Sequence, residues 1–190
     1  MTHKGWYSRG YLPHLDAPGV IQALTFRLAD ALPRDVLDSW RDRELEQGDI
    51  LTRSAAFLDA GHGSCVLRDP RCAGIVRDCI VRFDGEKYRL IAWVVMPNHV
   101  HVVVRIREGW SLGTTVGGWK GASAREINRL LGLRGRLWQP GYFDRFIRDG
   151  AHLQRAVLYV HENPVKAGLV AQAEDWEFSS AGSKRENNAD

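Results

Sequence analysis

A chain of 190 residues, 44% hydrophobic and 26% charged, is long enough to bury a sizeable core and too apolar to be disordered throughout. Its formal charge of +3 is too small, as a sum, to announce a nucleic-acid binder. Three cysteines, an odd number with no CxxC pair, exclude a secreted disulfide framework and a thiolate zinc site. No apolar signal core follows the first residues, and no apolar run approaches the ~20 residues of a membrane span, so the expected location is a bacterial-type cytoplasm with no membrane partner.

In chain order, residues 5–14 are aromatic, basic and aperiodic, and residues 1–18 read as an N-terminal arm rather than an element. Alternation with β-branched and aromatic residues predicts a strand over 19–28. Pro33 opens a helix to about Gln47, and residues 49–68 read as a second helical piece and a loop. Asp69-Pro70 starts a helix ending near Phe83, with Cys72 and Cys79 on one face as small buried hydrophobes. Residues 87–95 are apolar on both faces, as in a central strand, and a tight turn at 96–98 returns the chain as a strand over 99–106. Residues 111–131 carry a helical stripe capped by Ser111 and weakened by Gly117-Gly118. Residues 142–148 are a short strand or extended segment, and a helix over 151–162 is expected to stop at Asn163-Pro164. One domain over 19–182 and a polar tail over 183–190 complete the reading. The element order predicts an α+β fold, a mainly antiparallel sheet with helices on one face.

Three features carry possible chemistry. His99 and His101 stand at i and i+2 of a strand and project together, while Val100, Val102 and Val104 project to the other face. Paired imidazoles chelate a divalent ion, but the triplet alone fits equally two unrelated histidines on a half-exposed strand. Tyr159 and Asn163 stand one helical turn apart, a phenol beside a carboxamide oxygen that suits a hard metal. A phenol titrating near ~10 needs help to act as a nucleophile, and a metal-bound phosphate supplies a partner for it. Without the histidines, a core tyrosine and an asparagine C-cap is the better reading. Finally, residues 119–155 hold eight basic residues (Lys120, Arg125, Arg129, Arg134, Arg136, Arg145, Arg148 and Arg155) against three acids, a local +5 that leaves −2 for the rest. Interleaved aromatics make this a candidate surface for phosphates and unpaired bases.

Several blocks in order resemble the REP-associated tyrosine transposases, single-tyrosine HUH nucleases related to the IS200/IS605 type. They are Arg9 to His14 with Thr25 to Leu28, Trp93 to His101, Trp138-Gln139 with Tyr142 to Arg145 and Ile147 to Asp149, Tyr159 through Asn163 to Val170, and Asp175-Trp176 with Ser179-Ser180. The resemblance implies a ferredoxin-like sheet. It implies that His99, His101 and Asn163 bind a divalent metal, Mg²⁺ or Mn²⁺, with Asn163 where insertion-sequence relatives often carry Gln. Tyr159 would attack a single-stranded DNA phosphate, leaving a 5′-phosphotyrosine adduct and a free 3′-hydroxyl. The substrate implied is a palindromic hairpin with a flanking guide tetranucleotide. Arg9 and Tyr11, with Trp6 and Tyr7, are candidates for contacting those bases, and Lys120, Arg125, Arg134, Arg136, Arg145 and Arg148 for the remaining DNA contacts. Tyr142, with no ligand one turn away, is structural or a DNA contact. The alternatives are a catalytically silent hairpin-binding regulator and a small-phosphoester metallohydrolase. The motifs do not distinguish a monomer from a dimer.

Overall fold

The computed structural model describes residues 5–8, 13–17, 19–42 and 47–182. Strands β1 (Gly5–Ser8) and β2 (Pro13–Asp16) pair antiparallel, so the described part of the predicted arm is a two-stranded sheet. Aperiodic aromatics and a proline hid it, because a two-stranded ribbon needs no buried face to impose alternation. Strand β3 (Ile21–Arg27) follows, then helices α1 (Arg34–Asp42), α2 (Gln47–Asp59) and α3 (Pro70–Val81). Strands β4 (Tyr88–Val95) and β5 (His99–Ile106) form the predicted hairpin. Helix α4 (Leu112–Leu131), strand β6 (Phe143–Phe146) and helix α5 (Gly150–Lys166) complete the core elements.

The four-stranded antiparallel sheet has the order β4-β5-β3-β6. Counted from β3, this is a βαββαβ chain with its first strand between the third and fourth, the ferredoxin-like arrangement. The α+β expectation is met, but the helices divide between the two faces. Leu24, Phe26, Val100, Val102 and Val104 pack under α3 and α4 through Cys72, Val76, Ile80, Val116, Trp119 and Ile127. The alternate residues Ala92, Val94 and Val103 pack under α5 through Leu153, Ala156, Val157 and Val160. Because β5 is apolar on one face and carries its histidines on the other, the helix on that second face meets the histidines. Strand order and propensity carry no information about which face a helix takes, and the single-face expectation failed there.

The first core is tied by a buried hydroxyl. Tyr88 Oη donates to the Ile80 carbonyl at 2.6 Å and accepts from Trp119 Nε1 at 2.9 Å, joining β4 to α3 and α4. Replacing Tyr88 by Phe leaves a buried acceptor and a buried donor unpaired, and we expect urea unfolding to report a loss of about 1–3 kcal/mol. The exposed edge of β4 is covered by the C-terminal segment. Val95 N donates to the Phe178 carbonyl, Ser180 N to the Trp93 carbonyl, and Trp176 Nε1 to the Val95 carbonyl. Ser180 Oγ also meets His161 Nε2 at 2.9 Å, which makes His161 an anchor for this segment.

Helix α5 does not stop where Asn-Pro predicted. It runs to Lys166 with Pro164 inside it, and Ala167 N and Gly168 N close the last turn on the Asn163 and Val165 carbonyls. Pro164 sits in the final turn, so only one internal hydrogen bond is forfeited, and the buried position of the ring offsets it. Asn163 is therefore a helical residue with its side chain free to face the sheet, not a terminal cap.

Candidate active site

Asn98, in the turn between β4 and β5, is fully buried and organises the site. Its amide nitrogen donates to the carbonyls of Leu58 (3.1 Å) and His62 (2.8 Å), at the end of α2. With both amide hydrogens directed there, Asn98 Oδ1 is an acceptor, and His99 Nδ1–H donates to it at 2.7 Å. This sets the His99 tautomer and leaves Nε2 as a lone pair. The same hydrogen bonds pull the end of α2 against the hairpin, bringing Asp59 to the histidines. The following loop is pressed close as well. A Cβ on Gly63, whose φ is +89°, would meet the Asp30 carbonyl at 2.8 Å.

His99 Nε2 and His101 Nε2 stand 3.0 Å apart, and Asp59 Oδ1 lies 3.6 Å from His99 Nε2. His101 Nδ1 is held by Thr25 Oγ1 at 2.7 Å, from the neighbouring strand β3. From α5, the Tyr159 ring sits edge-on to His101 with centroids 5.2 Å apart. Asn163, fully buried, lies beside both Asp59 and Tyr159, yet neither polar atom of its amide makes a well-formed hydrogen bond. Asp59 Oδ1 is likewise buried without a hydrogen bond. Three unsatisfied buried polar atoms around two facing imidazole nitrogens are costly unless something else occupies the space between them. Two ligands each about 2.1 Å from one ion at right angles stand about 3.0 Å apart, which is the imidazole spacing seen. Two imidazoles, a carboxylate and a carboxamide oxygen fit a divalent cation, and among the described residues Asp59, His99 and His101 form the one carboxylate–histidine cluster with ligand spacing.

Burial shapes the electrostatics. It drives His99 well below the ordinary histidine range, helped by the His101 and Arg27 charges, and lowers His101 to about 4. Both rings are therefore neutral near pH 7, the form that ligates. Burial raises Asp59 against opposing effects of Asn163 and Lys166. Tyr159 is pushed up to about 12, by burial first and by the Asp59 charge second. Lys166 Nζ, two turns further along α5, lies 5.2 Å from the Tyr159 ring centroid.

Comparison with known proteins places this geometry. Residues 70–163 match the family described as Transposase IS200 like, a span running from α3 to Asn163. Over that span the chain is similar to the IS200-like transposases. A REP-associated tyrosine transposase of Escherichia coli (strain K12) is 30% identical over 107 residues, which are 56% of this chain and 62% of that protein. The chain thus spans about three fifths of the length of that curated relative. A solved structure of a REP-associated tyrosine transposase bound to a REP hairpin superposes with a TM-score of 0.62 at 21% identity, covering 95% of this chain and 87% of that one. At that identity the likeness establishes the ferredoxin-like fold.

The structure brings Tyr159, His99, His101 and Asn163 together. It adds Asp59, which sequence reading missed: no local pattern marks the last residue of a helix 40 positions upstream. The basic candidates scatter. Arg9 and Tyr11 lie outside the described residues. Lys120 is committed to the chain itself, donating to the carbonyls of Gln139 (2.7 Å) and Gly141 (2.5 Å), and burial, then the Arg136 charge, lowers it to about 8. Arg125, Arg134, Arg136, Arg145 and Arg148 are exposed. Helix α4, which carries Arg125, packs on the sheet face opposite the site, whereas Arg145 pairs with Ala23 and shares the site's face. Tyr142 is half-buried with its ring 5.1 Å from His14, whose Nδ1 bonds the buried Asp144, so β2 is fastened to β6 there. No described helix is long and apolar enough to cross a membrane.

Proposed function

We propose that this protein is a metal-dependent endonuclease and strand transferase for single-stranded DNA bearing a REP-like hairpin and a flanking guide tetranucleotide, working through a 5′-phosphotyrosine intermediate. The observation that carries it is the convergence of Tyr159 from α5 on paired imidazoles, Asp59 and an unsatisfied Asn163 amide. His99, His101, Asp59 and Asn163 would hold a divalent ion, Mg²⁺ or Mn²⁺, which when bound supplies Lewis-acid charge to the phosphate oxygens and positions them.

The chain's own residues do the rest. Tyr159 Oη attacks the phosphorus, the bond from phosphorus to the 3′ oxygen breaks, and its electron pair leaves on that oxygen. The phenol releases one proton and the 3′ oxygen takes one up, so the step is balanced and yields a 3′-hydroxyl. Attack by another 3′-hydroxyl on the phosphotyrosine reverses it and rejoins strands. With Oη pushed up to about 12, the phenol is protonated near neutral pH. The half-buried phenol therefore needs positive charge nearby to give up its proton, which a bound divalent ion would supply.

The test is a denaturing gel with a hairpin oligonucleotide and single-stranded flank drawn from the DNA beside the gene. Wild type with Mg²⁺ or Mn²⁺ forms a covalent adduct, whereas Tyr159→Phe binds the hairpin in a native gel and forms none. An adduct from Tyr159→Phe would show the nucleophile to be another residue. Binding without an adduct from wild type would leave a silent hairpin-binding regulator.

A further inference from the structure

Arg27 is the last residue of β3 and the Cα partner of His99. Two residues from Thr25, it projects to the sheet face that carries Thr25, His101 and His99. The side chain is half-buried at the position directly across from His99. Yet its guanidinium makes no hydrogen bond or ion pair with any described residue. A partly desolvated cation without a counter-ion is held at a cost that no described residue offsets. The five fixed N–H donors of a guanidinium match the paired oxygens of a phosphate. The other nearby cation, Lys166, is exposed, and solvent screens it.

Building on the proposed cleavage reaction, we infer that Arg27 is the phosphate-holding residue of this site, its guanidinium taking the non-bridging oxygens of one backbone phosphodiester in the single-stranded flank, the one presented to Tyr159. This gives the site an anion contact that is independent of any metal and comes from the sheet, while the nucleophile comes from the helix laid over it.

The test uses Tyr159→Phe protein, so that binding is read without turnover. Hairpin oligonucleotides each carry one uncharged methylphosphonate, scanned along the flank. With Arg27 present, one position should weaken binding by about 10-fold or more, the size expected of a charge-assisted contact. Adding Arg27→Gln should weaken binding of the unmodified oligonucleotide by a similar factor and abolish the penalty at that one position only. Arg27→Lys should restore part of it. In the otherwise wild-type protein, Arg27→Gln should slow adduct formation about 10²-fold at saturating DNA. It should melt at the same or a higher temperature, because an unpaired half-buried charge has gone. If every methylphosphonate penalty survives Arg27→Gln, or if that variant loses activity only in proportion to a fallen melting temperature, the inference is overturned. Failure of wild type to form an adduct would instead count against the cleavage reaction, which the binding scan does not require.

Discussion

Replacing His101 by alanine should abolish divalent-metal binding at this site and, with it, adduct formation on hairpin DNA, in a protein that still folds. The Nε2 atoms of His99 and His101 face each other at 3.0 Å, so removing one leaves a single imidazole with Asp59 and Asn163. Loss of a partner that only orients a ligand costs about 10- to 100-fold in affinity, and loss of a ligand itself should cost at least that. Manganese binding followed by titration calorimetry checks the first half, and the denaturing gel the second. An acid-stability signature accompanies it. Burial lowers His101 to about 4 in the folded chain, against an unfolded value near ~6.5. The unfolded state therefore binds the proton first, and stability is present in full above about pH 6.5 and drains as pH falls toward 4. From about pH 7 to about pH 5 the loss attributable to His101 is about 2 kcal/mol, and His99 acts in the same direction. Urea unfolding at the two pH values should show this in metal-free wild type and a smaller drop in His101→Ala. A wild-type protein equally stable at both would mean that the imidazoles are open to solvent.

Asn98→Ala should be the most destabilising change near the site. One fully buried amide makes three hydrogen bonds, and alanine strands the Leu58 and His62 carbonyls and the His99 Nδ1–H together. We expect a loss of about 2–4 kcal/mol in urea unfolding, since buried unsatisfied partners bear the full desolvation cost. Metal affinity should fall about 10- to 100-fold in the folded fraction, because His99 loses the acceptor that sets its tautomer and Asp59 loses the tie that holds α2 to the hairpin. Asn98→Asp separates the two effects. It keeps an acceptor for His99 but turns a carboxylate oxygen toward two carbonyls, so it should destabilise while retaining more of the metal affinity. Unchanged metal binding in both variants would show that the turn does not position the ligands.

The histidine pair was legible because a strand has period two. The apolar run Val100, Val102, Val104 identifies one face, and His99 and His101 must then share the other. Tyr159 and Asn163 were legible for the corresponding reason in a helix, although the Asn-Pro stop signal cut α5 short by one turn and nearly turned Asn163 into a cap. The basic stretch 119–155 was legible only as a sum. Charge along a chain does not say which side chains end in water, and Lys120 spends its charge on two backbone carbonyls.

By itself the sequence determined the hairpin, its histidine face, the tyrosine one turn from an asparagine, and an α+β order that the sheet bears out. Those features follow from the periodicities of single elements, which act over a few residues. Only the tertiary structure decided that α5 covers the histidine face, that Asp59 arrives through Asn98, and that Arg27 stands beside His99 without a counter-ion among the described residues. These depend on contacts between elements far apart in the chain, where no repeat of two or 3.6 residues links one partner to the other.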